Sequence, residues 1–416
     1  MMFEEKTRPL PISGEMVERA YRKVRSNGGS AGIDGVSLQD YELKLSGNLY
    51  KLWNRMSSGS YFPPAVKEHE IAKSDGKKRK LGIPTVDDRI AQQVVKDYLE
   101  DRFERIFHDN SYGYRPQRSA HQALTQVTAN VREYAWVIDL DIKSFFDTVS
   151  HEKLMLALDK HVEEKWVKMY IKRWLEAPIV SQDGSVRHRS GEGTPQGGVI
   201  SPLLANLYLH YTFDKWMDIH FSHLRFVRYA DDIIIHCTTE RQSHYVLDKV
   251  RERFAECNLR LHPDKTKIVY CRNYQRPKLE GKPQRFDFLG FSYRPMGIPS
   301  KRGGMFLGYG NEISKKSYSK IVGVIRATQF DQWAKSWDDI VKLLNAKIRG
   351  WVHYYDTHRP CTLKGVFRCF HRRLAKWIQN HFKKFNRSKS RAYEHLEYIR
   401  RRYPTLFYHW ELGYAI

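Results

Sequence analysis

Two pairs of aspartates carry the strongest chemical signal in this sequence. Asp231 and Asp232 are adjacent between two apolar runs, where paired carboxylates are costly unless they are solvated or hold a cation. Asp139 and Asp141 are two residues apart in an apolar segment, so a strand would place both on one face. Carboxylate oxygens suit Mg²⁺, and two such ions about 4 Å apart can activate an attacking hydroxyl and stabilise a departing pyrophosphate. The pattern indicates nucleotidyl transfer; the alternative is that Asp231 and Asp232 only supply turn residues.

The apolar pattern predicts the elements that position these carboxylates. Residues 136–142 are typical of a buried strand, and residues 226–229 and 233–235 flank the acidic turn as a hairpin would. Between about residues 60 and 300 short β-like runs alternate with helical patterns, which predicts an α/β or α+β fold. Beyond about residue 310 apolar side chains recur every three or four positions, which predicts a helical region.

The overall charge limits the classes of partner. Lys and Arg number 71 against 47 Asp and Glu, a formal charge of +24, which favours a nucleic-acid partner. Residues 361–403 alone hold 13 Lys and Arg and two Glu. No apolar run approaches the ~20 residues of a membrane span. The amino terminus lacks an apolar signal core, so we expect a cytoplasmic protein. Five cysteines without a C-x-x-C pair disfavour a zinc ribbon or a disulfide scaffold.

Seven motifs in a fixed order resemble those of a reverse transcriptase and, more narrowly, of the protein encoded within bacterial group II introns, the intron maturase. A lone YADD motif would be weak evidence, but the ordered set is specific. The motifs are KLGIPT at 80–85, SYGYRP at 111–116, DIKSFFD at 141–147, GTPQGG at 193–198, YADD at 229–232, FLGF at 288–291 and IRGWVHYY at 348–355.

The resemblance implies an α+β fold of the right-hand polymerase type, with fingers, a palm built on a split βαβ-type antiparallel sheet, and a helical thumb. We expect an N-terminal extension and the start of the fingers over residues 1–60, and the reverse transcriptase fingers and palm over 61–305. The thumb or maturase (X) domain is then expected over 306–385, and a basic C-terminal tail over 386–416.

The resemblance also assigns the metal ligands. Asp141, Asp231 and Asp232 match the catalytic carboxylates that hold two Mg²⁺ ions, for which Mn²⁺ can substitute. Strand periodicity cannot separate Asp139 from Asp141, and only the match to the DIKSFFD motif favours Asp141. Asp147, at the end of that motif, is expected to be structural.

Six further residues match the nucleotide-binding positions of the family. Phe146 would pack under the sugar of the incoming nucleotide and exclude a 2′-hydroxyl; the alternative is an ordinary core phenylalanine. The other five would contact the triphosphate or approach the nucleotide, although the assignment within residues 73–80 is open by a position and a lysine at 265 could equally be a surface residue. They are Lys73, Arg79, Gln196, Gly197 and Lys265.

The basic C-terminal part matches the region that binds structured intron RNA, which requires extended positive surface. The alternative is a solvated helix face, but such a face normally carries charges of both signs. The RNA-binding residues that we predict are Arg115, Arg349, Arg368, Arg372, Arg373 and Lys376. The partners implied are group II intron RNA in a ribonucleoprotein, target DNA and dNTPs, in a bacterial cytoplasm and at the nucleoid when the protein is engaged on DNA.

These matches predict an RNA-directed DNA polymerase that copies intron RNA into cDNA and assists intron splicing and mobility (retrohoming). The paired cysteines of the HNH-type nuclease found in longer family members are absent from this sequence, so we expect the endonuclease-lacking subgroup. The alternatives are a related reverse transcriptase serving host defence or repair, and a maturase that acts only in splicing. Phe146 disfavours an RNA-dependent RNA polymerase.

Overall fold

The computed structural model describes residues 9–72, 78–300, 303–356, 362–386 and 388–414. The helices are α1 (Gly14–Asn27), α2 (Leu38–Glu42), α3 (Leu45–Ser57), α4 (Val86–Glu104), α5 (Ala120–Glu133), α6 (Phe145–Thr148), α7 (His151–Asp159), α8 (Lys165–Glu176), α9 (Ser201–Leu209), α10 (Lys215–His220), α11 (Glu240–Glu256), α12 (Lys315–Ala327), α13 (Phe330–Trp333), α14 (Trp337–Tyr355), α15 (Lys364–His381), α16 (Lys389–Arg402) and α17 (Tyr408–Glu411). The strands are β1 (Val66–Ala72), β2 (Lys78–Ile83), β3 (Trp136–Asp141), β4 (Ile179–Val180), β5 (Val186–Arg187), β6 (Arg225–Tyr229), β7 (Asp232–Cys237), β8 (Lys267–Tyr270), β9 (Phe286–Phe288), β10 (Phe291–Pro299) and β11 (Met305–Ile313).

The chain forms two compact units. The first comprises Met1–Ser119, Leu140–Ile235 and His244–Thr266, and the second comprises Ala120–Asp139, His236–Ser243 and Lys267–Ile416. In the first unit a sheet has the strand order β2-β1-β4-β5, in which β1 and β2 form an antiparallel hairpin. This hairpin carries Arg79 on β2.

Strands β6 and β7 are joined by a two-residue turn and belong to a four-stranded sheet of order β6-β7-β3-β8. Strand β3 is almost entirely buried and pairs antiparallel with β8, with Trp136 opposite Tyr270 and Asp139 opposite Lys267. One face of β3 carries the apolar residues Trp136, Ile138 and Leu140, and the other carries Asp139 and Asp141. The predicted strand and hairpin are therefore present, and the expected α+β class is confirmed.

The second unit contains the antiparallel sheet β11-β10-β9 and the helices from α12 onward. Helix α14 begins at a capping box formed by Ser336 and Asp339, and its buried residues recur at helical spacing. Residues 388–414 pack into the same hydrophobic core, to which Leu396, Phe407 and Trp410 contribute. These residues lie within the range expected as a basic C-terminal tail, and we propose that the thumb extends at least to residue 414.

None of the described helices combines the length and the apolar character that a membrane crossing would need.

Candidate active site

The tip of the β6–β7 hairpin holds the adjacent aspartates. Ala230 has a φ of 55°, a left-handed conformation that is uncommon for a residue with a side chain. Gly113 lies directly against this turn, because a Cβ atom on it would be 2.4 Å from the Ala230 nitrogen. Asp231 is half-buried and Asp232 is exposed. Because Gly113 has no side chain, the SYGYRP motif can pack closely against the YADD turn.

A buried polar network behind the tip centres on Arg228. Its guanidinium donates to both carboxylate oxygens of Asp214, at 2.8 and 2.5 Å, and to Asn206 Oδ1 at 2.9 Å. The guanidinium also donates to the carbonyl of Ala230 at 3.2 Å, and Asn206 donates to the carbonyl of Gly113 at 2.7 Å. Burial raises the pKa of Asp214, but the charge and hydrogen bonds of Arg228 together with those of His210 outweigh it and hold that pKa below its usual range. The sequence offered no local signal for this network.

Asp141 and Asp231 lie close enough to interact electrostatically. Burial raises the pKa of Asp231, the negative charge of Asp141 raises it further, and Arg79 and Lys265 oppose the shift. The Lys265 ammonium lies 3.2 and 3.3 Å from the two carboxylate oxygens of Asp141. The structure thus brings together four residues that the sequence predicted for one site, from segments spread between residues 79 and 265.

Asp141, Asp231 and Asp232 are the candidate ligands for a divalent metal. Among the described ranges, no group of three or more His, Cys, Asp or Glu side chains is arranged as a complete metal-binding cluster. The predicted convergence of three carboxylates is therefore only partly seen, since the electrostatic coupling joins Asp141 to Asp231. The donor chemistry does fit a divalent cation, because carboxylates are hard oxygen ligands. A bound cation would relieve the repulsion between Asp141 and Asp231 that, after burial, contributes to the raised pKa of Asp231.

Asp139 can now be distinguished from Asp141, which periodicity alone could not do. Burial and Cys271 raise the pKa of Tyr309, and the negative charge of Asp139 makes a smaller contribution in the same direction. Asp141, in contrast, forms an ion pair with Lys265, and its negative charge contributes to the raised pKa of Asp231. The two side chains therefore have different electrostatic neighbours.

The GTPQGG loop is attached to both the β1–β2 hairpin and the DIKSFFD segment. The Gly82 N–H donates to the Gln196 carbonyl at 2.7 Å, and Arg79 Nε donates to Gln196 Oε1 at 2.8 Å. On the other side the Thr194 N–H donates to the Phe146 carbonyl at 2.7 Å. The predicted nucleotide-binding residues Arg79, Gln196 and Phe146 are thus linked by direct hydrogen bonds through one loop.

Gly197 allows the loop to approach β2. Its φ is +121°, and a Cβ atom on it would lie 2.4 Å from the Gly82 carbonyl oxygen. We expect Gly197→Ala to raise the KM for dNTP and to destabilise the protein by about 1–3 kcal/mol, because both the clash and the backbone strain displace Gln196.

The control for this prediction is Gly191→Ala. Gly191 has a φ of +79°, and among the described residues beyond its chain neighbours no atom lies within 4 Å of the place that a Cβ atom would take. This variant therefore isolates the backbone strain from the clash. Steady-state kinetics with a homopolymer template and thermal unfolding would measure both effects. Equal KM values in the two variants would contradict the role assigned to the close approach of Gly197.

Two aromatic residues complete the site. Phe146 is buried, with its ring 5.3 Å from that of Phe145 in an edge-on arrangement. Tyr114, which the sequence analysis did not single out, has a φ of 58° and is half exposed. Burial raises the pKa of its phenol, and the charges of Asp231 and Asp232 raise it further. The sequence signal that could have identified Tyr114 is its place in the SYGYRP motif, two residues before Pro116. Lys73 lies outside the described residues.

The predicted RNA-binding residues differ in accessibility. The structure corrects the prediction that Arg115 binds RNA. Its side chain is 3% exposed, pairs with Glu104, and donates to the carbonyls of His108 and Ser111. The guanidinium of Arg115 is therefore not available to RNA, and it stabilises the SYGYRP motif instead. Hydrogen bonds to carbonyls and a carboxylate occupy the donors that a phosphate would need.

The cations of the second unit fall into two groups. Arg373 and Lys376 both pair with the buried carboxylate of Asp331. Arg368 and Arg372 are exposed, and neither has an acidic partner among the described residues. Arg349 is exposed and lies over the ring of Tyr408 at 5.2 Å. Arg368 and Arg372 are therefore exposed cations of α15 without an acidic partner in the part of the chain that the structure describes, whereas Arg373 and Lys376 on the same helix are paired with Asp331.

Two protein-family models match this chain. The model described as "Reverse transcriptase (RNA-dependent DNA polymerase)" matches residues 71–293, which is more than half of the chain. The model described as "Group II intron, maturase-specific domain" matches residues 319–394.

Several curated proteins are similar to the chain. Protein YkfC of Escherichia coli K12 is 32% identical over 279 residues, 58% of this chain and 73% of that protein. The group II intron-encoded protein LtrA of Lactococcus lactis subsp. cremoris is 35% identical over 199 residues, 48% of this chain and 33% of LtrA. A protein in the cob intron of Schizosaccharomyces pombe is 30% identical over 249 residues, 59% of this chain and 30% of that protein. The aligned segment thus spans a third or less of the last two.

Proposed function

Because this chain belongs to the reverse transcriptase family and carries a group II intron maturase-specific region, we propose that it copies intron RNA into DNA and binds that RNA to assist splicing and mobility. The family membership that the motifs indicated is confirmed, and the chain is an RNA-directed DNA polymerase. The observation that carries the active-site assignment is the coupling of Asp141 to Asp231 beside Lys265 and Arg79.

Reverse transcriptases generally use divalent metal ions, and in this chain we propose Asp141, Asp231 and Asp232 as the residues that hold them. Two Mg²⁺ ions are the expected complement, with Mn²⁺ as a substitute. When bound, such ions lower the pKa of the attacking hydroxyl and stabilise the charge on the leaving phosphate. Arg79 and Lys265 supply additional positive charge on the nucleotide side, and target DNA and dNTPs are the further partners we propose.

Primer extension on an RNA template tests the polymerase assignment and the role of Phe146 together. We expect the wild-type protein to incorporate dNTPs and to discriminate against rNTPs. Phe146→Val should raise rNTP incorporation by roughly 10- to 100-fold, because the smaller side chain leaves room for a 2′-hydroxyl.

Phe145→Val serves as the matched control, because its buried ring packs against that of Phe146 and its loss opens a similar cavity. The ratio of kcat/KM values for rNTP and dNTP is the measurement. If both variants change this ratio equally, Phe146 acts only as a core residue and the gate assignment is wrong.

The maturase part of the proposal is tested at the exposed face of α15. We expect the double variant Arg368→Gln, Arg372→Gln to weaken intron RNA binding and to reduce the salt slope of log K by about 1–2, because each phosphate contact releases counterions. Primer extension on a short unstructured template should change much less than intron binding does.

The comparison variant is Arg373→Gln, whose guanidinium pairs with the buried Asp331. We expect it to lower thermal stability, since it leaves part of a buried carboxylate without its partner. Filter binding of intron RNA over a range of KCl concentrations separates the two classes. A wild-type salt slope for the Arg368, Arg372 variant would exclude this face as an RNA contact.

A further inference from the structure

A cavity of about 630 Å³ opens beside the end of the strand that carries Asp141. Its lining includes Lys143 and Arg260, the hydroxyl-bearing residues Ser144 and Thr148, and Glu192. None of these residues is among those assigned to the catalytic or nucleotide-binding set. The cavity lies within the first unit, as does the candidate active site.

Backbone hydrogen bonds relate this cavity to the active site. The His262 N–H donates to the Asp141 carbonyl and the Lys143 N–H donates to the Arg260 carbonyl, each at 2.8 Å, with an antiparallel bridge between Ile142 and Leu261. Lys143 is thus paired through its backbone with Arg260, and it lies in the turn that directly follows the strand end at Asp141.

The charge of the cavity is unbalanced. Lys143 and Arg260 are exposed, and no carboxylate within the described part of the chain forms an ion pair with either. The nearby Lys265, in contrast, is paired with Asp141. A guanidinium and an ammonium at the rim of one cavity are suited to a small anion with several phosphate oxygens.

The polymerase reaction generates such an anion at the active site. The primer 3′-oxygen forms a bond to the α-phosphorus of the dNTP, and the bond from that phosphorus to the bridging oxygen breaks. The leaving group carries away the electron pair, and the hydroxyl proton passes to solvent. We propose that the cavity binds this pyrophosphate product as it leaves, with Lys143 and Arg260 as its cationic contacts. The inference rests on the proposed polymerase function and extends it to product release.

The test compares two double variants that remove the same charge. Lys143→Gln, Arg260→Gln alters the cavity, whereas Lys249→Gln, Arg251→Gln alters exposed cations of α11 that are paired with Glu252 and Asp248 at 2.7 Å. The inhibition constant of inorganic pyrophosphate in primer extension and the KM for dNTP are measured for each. Calorimetric titration of pyrophosphate into the protein without primer gives the binding constant directly.

We expect the ratio of the pyrophosphate inhibition constant to the dNTP KM to rise at least 10-fold in the cavity variant and to stay within twofold in the control. The charge-retaining variant Lys143→Arg, Arg260→Lys should recover most of the binding, which excludes misfolding as the cause. An unchanged inhibition constant, or a KM that rises in parallel with it, would overturn the proposal. A wild-type protein that fails to extend primers would refute the polymerase function, whereas calorimetry would still decide the cavity.

Discussion

Replacing Asp231 by asparagine is expected to reduce primer extension by roughly 10³-fold or more, because metal-dependent stabilisation of the transition state contributes several kcal/mol. The same variant should unfold at an unchanged or higher temperature. Burial and the charge of Asp141 raise the pKa of Asp231, so its ionised form is disfavoured by folding, and at neutral pH the neutral amide removes that cost. Binding of intron RNA should remain close to that of the wild type.

This combination separates a catalytic carboxylate from a structural one. Asp139→Asn is the matched control, since it makes the same chemical change in the same sheet at a residue whose charge acts on Tyr309. Primer extension, thermal unfolding and intron RNA binding are measured on both variants. Comparable losses of activity at Asp139 and Asp231 would show that the two carboxylates have not been assigned correctly.

Arg228→Leu is expected to lower the free energy of unfolding by about 3–5 kcal/mol, because it leaves the buried carboxylate of Asp214 without its partner. The side chains of both residues are fully buried, so water cannot replace the lost hydrogen bonds. The change also removes the hydrogen bond to the carbonyl of Ala230 at the hairpin tip. We therefore expect primer extension to fall even at temperatures where the variant remains folded.

A double-mutant cycle measures this interaction. Arg228→Leu, Asp214→Leu should recover a large part of the stability, since it removes the unpaired buried charge, but it should not recover the positioning of Ala230. Arg22→Leu, which breaks an exposed pair with Glu18, should cost less than about 1 kcal/mol. Denaturant unfolding of the four variants is the measurement. Additive effects of Arg228→Leu and Asp214→Leu would contradict the proposed coupling.

Several features followed from local patterns in the sequence. The apolar runs around Asp231 predicted a hairpin, and the structure has β6 and β7 joined at that tip. The three- and four-residue spacing near residue 344 predicted a helix, which α14 confirms. Both predictions succeed because the side-chain periodicity of a strand or helix is set by its own backbone. The ordered motifs likewise identified the family without any tertiary information.

Other features depended on contacts between distant segments. Arg228 donates hydrogen bonds to Asp214 and Asn206, and Gly113 packs on Ala230. No local sequence pattern in one of these segments predicts its contact with the other. The same is true of Arg115, which looked like an RNA ligand but is buried against Glu104. A basic residue in the sequence has a known charge but an unknown partner, and burial determines whether that charge is available.

The amino-acid sequence alone determined the family, the α+β class, the hairpin with two aspartates at its tip and the large positive charge. Only the tertiary structure brought the charge of Asp141 close to Asp231, and left Arg368 and Arg372 exposed while Arg373 is paired. The physical reason is one of range. Periodicity and turn preference act over a few residues, whereas pairing and desolvation of charges depend on distances that only the folded chain defines.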